Sequence, residues 1–337
     1  MKTIVCQAPD RLIRTDTPEP GDPGPGEALV RVHRCGICGT DLHAYKGRQP
    51  FLEYPRILGH ELGVEVVAVG EGVGGLKEGD RCAVEPYLNC GVCGACRRGR
   101  ANCCEHLQTL GVHTDGGMRE RLILPADKLH CSRSLSLDQL ALVETLGIGC
   151  HAVARTRPQE GEAAFVIGAG PIGLSVVEFA RAAGARVIVQ ELNENRLRFC
   201  RDHCGIHGTI ADADPVPRLR ELLKGDLPTA VLDATGSPES MMAAFGYVAN
   251  GGRLTYVGFQ PRDLTFANPE FHRREMTLLA SRNALAEDFR QVLGLLESGV
   301  IDTDPWLTHR ATYEDLPEQF PAWTQDSSGV LKAMLEL

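Results

Sequence analysis

This 337-residue chain has no run of 18 consecutive apolar residues, which excludes a membrane-spanning helix. Its start, Met1-Lys2-Thr3-Ile4-Val5-Cys6, lacks the apolar stretch and small-residue cleavage site of a secretion signal, so a cytoplasmic setting is expected. Positive charge is in deficit, with 35 Lys and Arg against 44 Asp and Glu for a net charge of -9. Nucleic acid and anionic membrane are therefore poor partners. Internal repeats and low-complexity stretches are absent as well. What remains, 43% hydrophobic and 23% charged residues, is the profile of an ordinary globular protein, and the length suggests about two domains. Cysteine, by contrast, is plentiful. Thirteen cysteines, an odd number without a secretion signal, point to metal binding rather than disulfides, and four of them lie between Cys90 and Cys104.

Up to about residue 130 the chain reads as short strands, at 3–6, 28–32, 64–69, 81–84 and 118–124, each fenced by glycine, proline or charge. This predicts a β-rich domain over residues 1–140. Apolar spacing turns helical over 138–155, and from 164–167 onward apolar strands alternate with helices. Strands are expected at 186–189, 230–234 and 253–257, and helices at 174–183, 195–204 and 239–248. Such alternation predicts a doubly wound parallel sheet covered on both faces, over residues 141–284. A last mixed segment, 285–337, carries a helix at 287–298 and a final strand. The fold class is α/β.

Cys90, Cys93, Cys96 and Cys104 follow a C-x2-C-x2-C-x7-C spacing, with Gly91, Gly94 and Gly99 supplying freedom for tight turns. Four thiolates in tetrahedral array suit a structural Zn²⁺, because no position is left for water. Cys103 competes with Cys104 for the fourth place, and the register favours Cys104. Alone, this lobe at about 88–106, with its basic Arg97, Arg98 and Arg100, also suits a zinc ribbon that docks on DNA or protein. A second metal constellation separates the two readings.

That constellation is present. Cys38 stands in Gly36-Ile37-Cys38-Gly39-Thr40-Asp41-Leu42-His43, His60 in Gly59-His60-Glu61, and Glu144 in Leu142-Val143-Glu144-Thr145-Leu146. One thiolate, one imidazole and one carboxylate make a three-ligand zinc site with an open fourth position, the arrangement that catalysis requires. Further on, Gly168-x-Gly170-Pro171-Ile172-Gly173 follows an apolar strand and opens a helix. Its glycines permit a tight turn and close approach to a pyrophosphate at the helix N-terminus. Glu191, 23 residues beyond Gly168, is placed to hydrogen-bond ribose hydroxyls and repel a 2′-phosphate, which favours NAD over NADP. Arg196 is the nearby feature that would accept that phosphate.

Taken together, these blocks resemble the zinc-dependent medium-chain dehydrogenase/reductase family over nearly the whole chain and in the right order. Val64 and Thr145 depart from the pattern, where the family has glycine and the polyol branch has proline. The resemblance implies a GroES-like catalytic domain and a Rossmann domain, with two Zn²⁺ per chain. It implies that Cys38, His60 and Glu144 hold the catalytic zinc, with Glu61 as an alternate ligand. Asp41 would hydrogen-bond a ligand imidazole, Thr40 would pass the substrate proton onward, and His43 would deliver it to solvent. The resemblance also implies a homodimer or homotetramer.

Glu144 in place of a cysteine is similar to the sorbitol and polyol branch, and the stretches 111–117, 268–275, 281–289 and 307–310 look like bacterial sugar-acid dehydrogenases. These imply oxidation of the C5 hydroxyl of L-gulonate or L-galactonate, to D-fructuronate or D-tagaturonate, with a neutral polyol or threonine as the alternative. A planar guanidinium suits a carboxylate, so Arg282 is the first candidate for that end of the substrate, with His113 and Gln49 for its hydroxyls. A dinucleotide-binding redox sensor using thiols such as Cys103 or Cys131 is the contrasting reading, and it predicts activity changes with oxidation but no alcohol-dependent NADH formation.

Overall fold

Ala28, Val30 and Val32 are buried at every second position of the strand Glu27–Ile37, and then the phase shifts to Cys35 and Ile37. A register shift between Val32 and Arg34 against the neighbouring strand Glu61–Val69 accounts for the change, as an extra residue in a ladder does. The computed structural model describes residues 1–325 and 329–337. It divides the chain into one unit of Met1–Glu144 with Leu285–Leu337 and a second of Thr145–Ala284. In the first unit a seven-stranded sheet runs in the order Leu307–Thr312, Lys332–Glu336, Glu27–Ile37, Glu61–Val69, Arg81–Val84 and Leu129–Cys131. Arg121–Pro125 also pairs with Glu27–Ile37. Only the first two strands are parallel to each other.

The second unit holds a six-stranded, wholly parallel sheet in the order Gly208–Ile210, Arg186–Gln190, Ala163–Ile167, Ala230–Asp233, Arg253–Tyr256 and Thr277–Ala280. All five residues of Ala163–Ile167 are buried, as a strand covered on both faces requires. Strand order reverses beside it, and at such a switch point the carboxyl ends of the strands form a ligand crevice.

The expected strand at 118–124 begins only at Arg121. The amides of Gly116, Gly117 and Met118 are spent instead on the carbonyls of Ile57, Gly59 and Leu58. The helix expected at 239–248 is Pro238–Ala243 followed by a 3-10 turn, Ala244–Tyr247, containing Gly246, a weak helix former. At the departure from the family pattern, Val64 is a fully buried core residue. The glycine that packing demands is Gly63, where a Cβ would stand 2.2 Å from the Leu137 carbonyl oxygen. Among the described residues no helix is long and apolar enough to cross a membrane.

Candidate active site and metal centres

Cys38 caps the short helix Gly39–Tyr45, immediately after the strand Glu27–Ile37. His60 leads into the neighbouring strand Glu61–Val69, whose Glu61 is registered opposite Gly36. Glycine at 36 is a packing necessity, since a Cβ there would lie 2.1 Å from Glu61 Oε2. Gly59 has φ +93°, and a Cβ on it would meet Cys35 Sγ at 2.5 Å. Ligand atoms of Cys38, His60 and Glu61 all lie within 4.8 Å of one another, and His60 and Glu61 are buried. A sulfur, a nitrogen and an oxygen donor converging at that spacing fit a zinc ion. His60 Nδ1 is buried and without a hydrogen-bond partner among the described residues.

Glu144, on the helix Leu137–Thr156, is buried but lies outside this trio, and its Oε1 accepts a hydrogen bond from the buried Tyr87 hydroxyl. Glu61 has its own partner. Lys332 Nζ sits 2.5 Å from both Glu61 oxygens, and the Lys332 and Glu61 side chains are 2% and 1% exposed. Each carboxylate is thus held by a different neighbour. Tyr87 and Lys332 were not foreseen. The local signals were only a tyrosine just before the cysteine lobe and one cation inside the apolar strand Lys332–Glu336.

Burial works against charge throughout this group. It would lower the His60 pKa, but Cys38, Asp41 and Glu144 outweigh it and hold the imidazole well above its ordinary value. Lys332 is likewise raised, against burial, chiefly by Glu61 and Cys38. Burial raises the carboxyls of Asp41 and Glu144. The expected Asp41–imidazole hydrogen bond is not made. Asp41 accepts instead from the backbone N–H groups of Cys38 at 2.9 Å and Gly59 at 3.2 Å, which leaves 3.9 Å to His60 Nδ1. Its carboxylate therefore ties together the two loops that carry Cys38 and His60. Thr40 is half-buried and His43 is exposed, so this turn runs outward from Cys38 to solvent.

The four lobe cysteines also converge within 4.8 Å. Cys104 Sγ lies 3.5 Å from Cys90 Sγ and 3.9 Å from Cys93 Sγ. A tetrahedron with Zn–S bonds of about 2.3 Å has edges of about 3.8 Å, so the spacing fits. Backbone amides aim at the sulfurs, and those of Cys96 and Glu105 pull the Cys93 thiol down to about 6. Cys103 is exposed and outside the group.

In the second unit, the helix Pro171–Ala182 starts at Gly170 with no side-chain cap and no acid in its first turn, so its N–H groups are available to an anion. Gly168 has φ +92°, and a Cβ on Gly173 would stand 1.9 Å from the Gly168 carbonyl oxygen, so neither tolerates another residue. Glu191 accepts from the Ala169 N–H at 2.9 Å and from the Asn193 N–H at 2.9 Å, and Arg196 lies 3.9 Å from it. Glu191 thus braces the glycine loop.

The candidate substrate contacts are less concentrated. His113 Nδ1 accepts the Thr109 N–H at 3.1 Å, and its ring stacks on Phe51 at 6.1 Å. Gln49 is half-buried two residues before Phe51, and Arg282 is exposed in the other unit.

The profile of the alcohol dehydrogenase GroES-like domain matches residues 24–133, and that of the zinc-binding dehydrogenases matches residues 171–298. The chain is similar to L-galactonate-5-dehydrogenase of Escherichia coli K12, at 38% identity over 99% of this chain and 98% of the relative. Sorbitol dehydrogenase of Bacillus subtilis is 32% identical over 96% of this chain and 94% of that protein. The solved structure of the alcohol dehydrogenase RspB from Escherichia coli CFT073, complexed with NADH, superposes with a TM-score of 0.91 at 29% identity. That match covers 100% of this chain and 99% of RspB.

Proposed function

Since this chain belongs to the zinc-dependent medium-chain dehydrogenases, enzymes of the alcohol and polyol dehydrogenase class, we propose that it oxidises the C5 hydroxyl of a sugar acid, L-gulonate or L-galactonate, with NAD as acceptor. The convergence of the half-buried Cys38 with the buried His60 and Glu61, with Glu144 held nearby by Tyr87, is the observation that carries the chemistry. The 38% identity to L-galactonate-5-dehydrogenase supports the substrate class. A second reading, a neutral polyol, is supported by the likeness to sorbitol dehydrogenase.

Cys38 and His60 would hold the catalytic zinc together with Glu144, with Glu61, the carboxylate of the converging trio, as the alternate ligand, and Cys90, Cys93, Cys96 and Cys104 would hold a structural one. When bound, zinc supplies a Lewis acid that lowers the pKa of an alcohol, and the nicotinamide supplies the hydride acceptor. Thr40 accepts the hydroxyl proton and His43 passes it to solvent. Lys332 balances the charge of Glu61 inside the protein. Gly168, Gly170, Pro171, Ile172 and Gly173 cradle the pyrophosphate. The carboxylate of Glu191 selects NAD over NADP, with Arg196 beside it. Arg282 holds the aldonate carboxylate, and His113 and Gln49 contact hydroxyls. The working form is a homodimer or homotetramer.

The test is NAD⁺ and NADP⁺ reduction over a panel of aldonates and neutral polyols. Turnover of L-gulonate or L-galactonate with NAD⁺, and an Arg282→Ala variant whose KM rises at least about tenfold for the aldonate alone, is the expected result. Fast oxidation of a neutral polyol with no response to any aldonate would overturn the substrate assignment. Full turnover by Cys38→Ser would overturn the site.

A further inference from the structure

Cys82 and Cys131 face each other on neighbouring antiparallel strands, Arg81–Val84 and Leu129–Cys131. The ladder shows which kind of pair this is. Ser132 N–H donates to the Arg81 carbonyl and Glu85 N–H to the Lys128 carbonyl, so these flanking positions are the hydrogen-bonded ones. Alternation then puts Cys82 and Cys131 at a non-hydrogen-bonded position, where Cα atoms stand about 4.5 Å apart and side chains come closest. That separation is inside the roughly 4.4–6.8 Å that a disulfide spans. The two side chains leave the same face of the sheet, and their sulfurs are within hydrogen-bond reach of each other.

Their surroundings differ in a useful way. Cys82 is fully buried and Cys131 is exposed. Cys131 opens on a cavity of about 360 Å³ that is also lined by Asp80, Arg81, Arg133 and Glu297. The cavity leaves the Cys131 sulfur open to a small oxidant, and the thiolate is the form that reacts. The Cys82 thiol, donating to that sulfur, holds the Cys131 pKa below the ordinary thiol value, against burial and the Asp80 charge, which raise it. Among the described residues neither cysteine belongs to a metal-ligand cluster.

We propose that Cys131 and Cys82 form a peroxide-reactive site, with Cys131 the attacking thiolate and Cys82 the resolving thiol. The Cys131 thiolate attacks one oxygen of hydrogen peroxide and the O–O bond breaks. Hydroxide leaves and is protonated to water, and Cys131 becomes a sulfenic acid. The Cys82 sulfur, giving up its proton, attacks the Cys131 sulfur. The S–O bond breaks, a second water leaves and the S–S bond forms. Two thiols lose two electrons and two protons, and one peroxide becomes two waters. A dithiol reductant entering the same cavity reverses the change. Cys82 already stands opposite Cys131 in the ladder, so it has the advantage of proximity over an outside thiol in the second step.

The test exposes the full-length, zinc-loaded protein to a small excess of hydrogen peroxide, blocks residual thiols, and maps peptides without reduction. A Cys82–Cys131 linked peptide that dithiothreitol removes is the expected product. Cys131→Ser should abolish it. Cys82→Ser should leave Cys131 as a sulfenic acid, with dimedone labelling at least about tenfold above wild type. Cys131→Ser replaces an exposed side chain, and retained zinc content controls for folding. Recovery of Cys131 as free thiol while lobe cysteines oxidise would overturn the proposal. So would its recovery only as sulfinic acid or as a mixed disulfide with added glutathione.

Discussion

Replacing Lys332 by methionine keeps the length of the side chain and removes its charge. Lys332 is 2% exposed, with its Nζ 2.5 Å from both Glu61 oxygens and 3.3 Å from the Ile37 carbonyl oxygen. Glu61 is itself 0% exposed, so the variant strands a carboxylate in the interior. Breaking one side of a buried pair costs about 3–5 kcal/mol. The chain has two tryptophans, Trp306 and Trp323, both buried and both in the unit that carries this pair. Tryptophan fluorescence in urea therefore follows the right unit. With a slope of about 2–3 kcal/mol per molar urea, the midpoint should fall by about 1–2 M. Both proteins are first dialysed against the same chelator, because a metal ion would take up part of the Glu61 charge. The double variant Lys332→Met/Glu61→Gln should recover most of the loss, since the penalty belongs to the stranded charge rather than to the missing contact. A single-variant midpoint within about 0.3 M of wild type, or a double variant no better than the single, would refute the reasoning.

Tyr87→Phe removes the hydroxyl donated to Glu144. At about 1.5–3 kcal/mol for a hydrogen bond to a charged group, kcat/KM should fall roughly ten- to hundredfold with NAD⁺ affinity unchanged, as steady-state kinetics and cofactor titration will show. Cys104→Ser should remove one zinc ion per chain and Cys103→Ser none, by elemental analysis, because only Cys104 lies in the four-sulfur group. Burial raises the Asp138 carboxyl, but hydrogen bonds from Arg310 and Arg34 outweigh it and hold the group below the usual carboxylate range. A depressed native pKa gives stability that is present above the unfolded value of about 3.9 and lost as pH falls through the native one. Asp138→Asn should therefore be less stable than wild type at neutral pH and match it near pH 2, in urea melts run across that range.

What could be read from the linear chain was local. Gly168, Gly170 and Gly173 announce their turn because the strain they relieve lies within six residues, and the alternation of apolar strands and helices on either side repeats over short distances. The four-cysteine lobe is legible for the same reason, as its ligands span only 15 positions from Cys90 to Cys104. The strand Arg11–Asp16 and the helix Leu316–Trp323 were not read, since neither carries a strong periodic pattern in isolation. The helix is fixed by burying Leu316, Phe320 and Trp323 in the first unit's core.

Charge compensation is the part that sequence could not disclose. Lys332 and Glu61 lie 271 residues apart, and they meet because the strand Lys332–Glu336 pairs with Glu27–Ile37, which in turn pairs with Glu61–Val69. Gly36 sits between these two strands, opposite Glu61 on one side and Met334 on the other, and its missing Cβ is what leaves room for the carboxylate. A buried site with two carboxylates and a thiol needs a cation inside the protein and a donor for the second acid. That requirement alone predicts that partners exist, without saying where. Lys332 and Tyr87 meet it through long-range strand pairing and packing. Asp41 illustrates the converse. The sequence places it correctly in the turn, yet the amides of Cys38 and Gly59 claim its oxygens, so its work is to fix the backbone that aims Cys38 and His60.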